Sequence, residues 1–209
     1  MSGALADPTI AIVNSSNVVV ASNDNWRNTQ EVQIAASGFA RPNDLESAII
    51  ATVPPGSYTA VVSGKNGGTG VALVDLYELD ASTSIFQNLS TRSFVGTGND
   101  VLIGGLIIGN GEPPVVVLRA IGPTLSSFGI AQPLQDPTIE MHDANGALIA
   151  FDNDWSDNTP TAIKATLLKP SDNRESAIVA SLAAGNYTAV VRGKNGTTGV
   201  ALVETYRLH

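Results

Sequence analysis

The chain of 209 residues contains no cysteine. That one absence excludes disulfides, zinc sites built on cysteine and thiol catalysis, while leaving the compartment open. Histidine is almost as scarce, with only His142 and His209. A Ser-His-Asp arrangement can be drawn on paper from His142 and Asp143, but neighbours on a strand face opposite ways. No Gly-x-Ser-x-Gly elbow, phosphate loop or His-rich metal motif occurs, and no carboxylate pair stands out for glycoside hydrolysis. A non-enzyme is therefore expected. Basic residues are few, 11 Lys and Arg against 19 Asp and Glu, and the net charge of −8 would repel nucleic acid. No apolar run approaches the ~18 residues of a membrane helix. Met1-Ser2-Gly3-Ala4 shows neither the basic nor the apolar region of a signal peptide, so a mature or excised segment is expected.

What the chain does have is glycine, proline and β-branched residues in short runs, which points to an all-β protein. Its dominant feature is the stretch Tyr58–Val74, which returns as Tyr187–Val203. Each reads as a β-hairpin, two β-branched runs joined by a Gly/Asn loop that tolerates positive φ. The offset of 129 residues holds without gaps upstream, setting Asp7-Pro8-Thr9-Ile10 on Asp136-Pro137-Thr138-Ile139, Trp26 on Trp155 and Glu46 on Glu175. About 30 of roughly 76 aligned positions are identical, an internal repeat.

Each copy reads as five strands, in the first copy near Thr9–Val13, Val18–Ser22, Glu46–Thr52, Tyr58–Gly64 and Gly70–Leu79. A polar passage over 23–43 carries a short helical turn near Gln30–Ala36. Pro54-Pro55-Gly56 makes the tight turn before the tyrosine strand. The segment 82–131 occurs once and offers three more strands, near Phe86–Val95, Val101–Ile108 and Val115–Ile121. Gly104-Gly105 suggests a bulge or sharp bend there, and Pro123–Phe128 one helical turn. Three strands and the following five make eight, the number for a closed jelly-roll-like antiparallel sandwich. On that reading residues 1–80 are a partial first copy, 81–131 the unique three-strand segment and 132–209 the second copy, with 86–209 one complete module. The alternative is two five-stranded domains bridged by a three-stranded linker. A five-strand remnant would expose apolar faces and unpaired edges, to be completed within the chain or by a neighbour in a head-to-tail contact.

Several residues are candidates for chemistry. Asp152, Asp154 and Asp157, with Asp143 nearby, supply the hard oxygen ligands that Ca²⁺ takes, and Asp24 a weaker first-copy counterpart. The same residues serve equally as Asx turns and helix caps. Trp26 and Trp155 could stack on a sugar, or plug one end of the sandwich with the indole N–H on a loop carbonyl. Aromatics make up only 5%, too few for a sugar platform, which favours the plug. Lys65 and Lys194 could pair with the strand residues Glu46 and Glu175, or crosslink to an asparagine with a carboxylate assisting, whereas a loop-backbone contact is the simpler role for the glutamates.

The runs Asn88-Leu89-Ser90-Thr91-Arg92, Val101–Ile108, Leu118–Leu125, Asp136–Ile139, Asn153-Asp154-Trp155 and Gly199–Glu204 together resemble a repeat of large predicted secreted and surface proteins of environmental bacteria. The likeness covers nearly the whole chain. More loosely, Asp143-Ala144-Asn145-Gly146, Asp152-Asn153-Asp154 and Gly185-Asn186-Tyr187-Thr188 are similar to the pattern of bacterial pre-peptidase C-terminal domains. Asn14-Ser15-Ser16-Asn17 departs from that pattern, lacking its Asp and Gly. These resemblances imply a secreted or cell-surface, non-catalytic structural or accessory module. The expectation is a self-assembling subunit of a surface array or filament, with a calcium-dependent glycan-binding accessory module as the alternative.

Overall fold

The computed structural model describes residues 3–80 and 87–208. It divides into two compact units, Met1–Ser84 and Ile85–His209. The first contains strands β1 (Pro8–Asn14), β2 (Val19–Asn23) and β3 (Tyr58–Gly64), with the short helix α1 (Glu31–Ala36). The second contains β4 (Asn88–Val95), β5 (Leu102–Ile108), β6 (Val115–Ile121), β7 (Pro137–His142), β8 (Leu148–Asp152), β9 (Ser176–Ser181), β10 (Gly185–Gly193) and β11 (Gly199–Arg207), with helix α2 (Pro160–Ala165) between β8 and β9. Phe86, placed in a strand by the sequence pattern, lies outside the described residues.

The protein is all-β, and its second unit is a jelly-roll-like antiparallel sandwich. One sheet runs β5-β10-β7-β8 and the other β4-β11-β6-β9. Numbered from β4, the eight strands stand in the orders 2-7-4-5 and 1-8-3-6, the two interlocked Greek keys of a jelly roll. The period of two decides what each strand buries. On β6, Val116, Leu118 and Ala120 enter the inter-sheet core with Ile139, Met141, Val191 and Val203. Val117 turns the other way, into a smaller cluster with Trp155, Ile163 and Ala177 under α2.

The first unit repeats part of this plan. Its sheet β2-β1-β3 has the order and register of β8-β7-β10, and many of its hydrogen bonds recur 129 residues on. Trp26 N–H donates to Glu46 O as Trp155 does to Glu175 O, both at 2.8 Å, and Leu5 N–H donates to Val71 O as Leu134 does to Val200 O. The turn Asn14-Ser15-Ser16-Asn17 works the same way as its counterpart. Asn14 Oδ1 accepts from Ser16 and Val18 as Asp143 Oδ1 accepts from Asn145 and Ala147, and Asn17 takes the positive φ of Gly146.

Three expectations need correction. The stretches 46–52 and 70–79 are not strands; among the described residues the one ladder contact of either is a bridge between Ala4 and Val71. A strand exists by its neighbours. The counterparts of these stretches in the second unit, β9 and β11, are joined through β6, which the first unit lacks. The repeated hairpin is not a hairpin either. β10 and β11 belong to opposite sheets, so the Lys194-Asn195-Gly196 turn is a corner between layers, with Asn195 and Gly196 at φ 56° and 76°. Finally, Gly104-Gly105 makes no bulge, since pairing with β10 continues straight through. A Cβ at Gly104 would stand 3.1 Å from Val203 Cγ1, so the glycine lets the two sheets approach.

At the corner, a Cβ on Gly193 would fall 1.9 Å from the carbonyl oxygen of Thr197, whereas Gly196 faces open space. Gly193→Ala is expected to destabilise the second unit by about 3 kcal/mol or more. Gly196→Ala, limited to left-handed backbone strain, should cost about 1–2 kcal/mol. Urea unfolding of both variants checks the order.

Candidate functional site

The acidic loop after β8 is built around a buried carboxylate. Asp152 is 1% exposed, accepts the Ala177 N–H at 2.9 Å through Oδ2 and the Asn158 amide at 2.7 Å through Oδ1. Burial, the largest influence, pushes its pKa up to about 6. Asp154 is raised as well, again chiefly by burial, while Lys194 pulls it down. Lys194 Nζ stands 3.6 Å from Asp136 Oδ2 and 4.0 Å from Asp154 Oδ2. In the first unit Asn23 replaces the buried acid and accepts from Ala48, and Lys65 Nζ lies 2.6 Å from Asp24 Oδ2. The Asp24 hydrogen bond holds the Lys65 ammonium above its ordinary pKa.

These contacts redistribute the calcium candidates. Asp143 is committed to the β7–β8 turn, where the Ala147 and Asn145 N–H groups lower its pKa. Asp152 pairs with Ile139, so Asp143 stands four residues further along the hairpin, roughly 13 Å at strand rise. Asp157 is exposed and donates its N–H to Asp154 O. Among the described residues no group of three or more His, Asp or Glu stands together to hold a metal. In each loop a lysine ammonium already faces the carboxylates that a cation would neutralise, so the lysines pair with aspartates and not with Glu46 or Glu175. Oxygens remain unpartnered beside them, Asp7 Oδ1, Asp24 Oδ1 and Asn25 Oδ1 in one loop, Asp136 Oδ1 and Asn153 Oδ1 in the other.

Trp26 and Trp155 are 3% and 5% exposed, leaving no ring face for a sugar. Nor do they plug the end of the sandwich. Trp155 covers the outer face of the sheet against Val117 and Ala177, with Lys169 Nζ 4.8 Å from its centroid, and neither indole N–H finds an acceptor. His142 engages Glu140 at 3.1 Å and the Gly146 carbonyl at 3.2 Å, with no serine in the arrangement.

Glu175 takes the loop-backbone role. Fully buried, it accepts from Gly122 N–H, Thr124 N–H, the Thr124 hydroxyl and Asp172 N–H at 2.9–3.3 Å. A second cluster escaped the sequence reading. Arg119 on β6 faces Glu204 on β11 in register, donating through Nε at 2.9 Å, and also reaches Leu168 O and the Tyr206 hydroxyl. Its signal was a lone arginine inside the apolar run Val115–Ile121.

The first unit has the receiving side of both clusters without the giving side. Glu46 occupies the Glu175 position, but among the described residues its carboxylate makes no hydrogen bond. Asp75 occupies the Glu204 position and is held by Arg41. The inter-sheet core is open as well. Val203 is 2% exposed, whereas its counterpart Val74 is 47% exposed. Among the described residues of this unit, the buried apolar side chains are Trp26 and Ile34. Compared with known proteins, the chain matches no family model and no curated sequence.

The Asp152 shift fixes a pH dependence. Its folded pKa lies above the unfolded value near 3.8, so the native state holds the proton more tightly. Stability from this group is full below pH 4 and falls as pH rises through about 6. Asp152→Asn, which copies Asn23, is expected to remove that slope and raise stability at pH 7 by roughly 1–3 kcal/mol. Urea midpoints at pH 4.5 and 7.0 for both proteins check it.

Proposed function

We propose that the chain is a non-catalytic extracellular structural module, a subunit of a surface array or filament that assembles head-to-tail through strand or sheet-edge complementation. One observation carries this reading. Apolar positions that are buried in the second unit, Val203 among them, lie uncovered in the first, as at Val74, which leaves the first unit an apolar face open to a partner. Each Val or Leu side chain covered there contributes about 1.5–3 kcal/mol. The second unit offers apolar side chains on its outermost strands, including Phe94 on β4, Ile107 on β5 and Phe151 on β8. An open face at one unit and such edges at the other make a contact between different surfaces, which propagates instead of closing as a pair. The resemblance to repeats of bacterial surface proteins supports the same reading.

The alternative is a calcium-dependent ligand-binding accessory module, for example one attaching to a surface glycan. It draws on the unpartnered oxygens of Asp136 and Asn153 and meets an ammonium already in place.

Light scattering and negative-stain microscopy on one sample, in calcium and in chelator, separate the two. Regular polymers in both conditions are expected. A monodisperse monomer of 21.5 kDa in both would overturn the assembly reading, and polymers that dissolve in chelator would give the acidic loops a structural metal.

A further inference from the structure

The uncovered face of the first unit has a defined shape, because the second unit shows what fills it. There β6 lies between β9 and β11, pairing Leu118 with Ile178 on one side and Arg119 with Glu204 on the other. The first-unit counterparts of those two flanking strands are the stretches 47–52 and 70–78, which among the described residues form no strand and only the bridge of Val71 to Ala4. Past its last residue, β6 runs into Gly122-Pro123-Thr124, whose N–H groups and hydroxyl are taken by Glu175. The Glu46 carboxylate stands at that position with no such donors.

We infer that the first unit is an acceptor for one inserted β-strand of the 115–124 type, an alternating apolar strand with a central arginine that ends in a Gly-Pro-Thr turn. The register follows from the repeat. Ala120 of the incoming strand pairs with Val74, its arginine with Asp75 and its Leu118 with both Leu76 and Ile49. Glu46 receives the turn. Two features give the slot specificity beyond hydrophobicity. Asp75 holds a cation even in the free chain, where Arg41 stands in. Glu46 selects a strand that terminates in free N–H donors at one place, which sets direction and register together.

The donor is not the folded second unit of a neighbour. That unit buries its own β6, with Val116 at 2% exposure and Leu118 and Ala120 at 0%, and giving it up would open one core to close another. The occupant is therefore a further segment of the 115–124 type, with the same alternation, central arginine and Gly-Pro-Thr end. This goes beyond the assembly reading and stands apart from it, naming the strand that the open face accepts.

The test uses the full chain and a fluorescein-labelled peptide of residues 113–126. Saturable binding is expected by fluorescence anisotropy, and none with a peptide of the same composition in scrambled order. Glu46→Gln should weaken binding about tenfold or more, the value of a charge-assisted hydrogen bond. Val74→Asp, at a position half-exposed in the free chain and so harmless to its fold, should abolish binding. No saturable binding, or binding unchanged in both variants, overturns the inference. Filaments formed by a chain that ignores the peptide overturn it while leaving assembly standing. Peptide binding by a chain that never polymerises supports the acceptor slot and sinks the self-assembling filament.

Discussion

A β-strand in the middle of a sheet must be paired on both edges and covered on its inner face, and β6 is where the second unit meets that requirement. It joins β9 to β11 and sends Val116, Leu118 and Ala120 into the main core. It places Val117 under Trp155 and Arg119 against Glu204, and its end supplies the donors that neutralise the buried Glu175. Backbone pairing, apolar burial and the satisfaction of two buried carboxylates all pass through seven residues and one turn. Where β6 is missing, all of these fail together: in the first unit the flanking stretches are not strands, the core is open, and Glu46 has no donors among the described residues.

Much of this architecture could be read from residues alone, and the limits have physical causes. Alternation located β3 and β6 to the residue and most others within one or two, because period-two patterning is local. The count of eight strands from the unique segment onward also came from local runs. Pairing is not local. Tyr58–Val74 has two β runs and a turn whether the runs face each other or cross between layers, and the corner is recognisable only from Gly193 lying against Thr197 O. For the same reason 46–52 and 70–79 have the composition of strands but not the state, since their partners are elsewhere.

The candidate site divides in the same way. Glu175 as a binder of loop backbone was readable, because a carboxylate in a strand-like apolar run demands donors. The partnership of Lys65 with Asp24, and of Lys194 with Asp136, was not, since the loop after β3 or β10 meets the acidic loop only through folding. Asp143 looked close to Asp152 in sequence, yet a hairpin carries nine residues out and back. The tryptophans were read correctly as packing residues but at the wrong place, because the outer face of the sheet exists only once α2 lies across it.

The first unit is the same sandwich held open, and amide hydrogen exchange on the dilute, unassembled chain tests this most directly. Residues 176–181 and 199–207 should be strongly protected, whereas the counterpart amides of 49, 51 and 52 and of 72–77, which lack the hydrogen bonds that Ala48, Ile50 and Val71 make, should exchange within seconds while 8–14 and 58–64 stay protected. Equal protection at 49, 51 and 52 and at 176–181 would contradict the account, because those amides would then already have the neighbours that β6 provides.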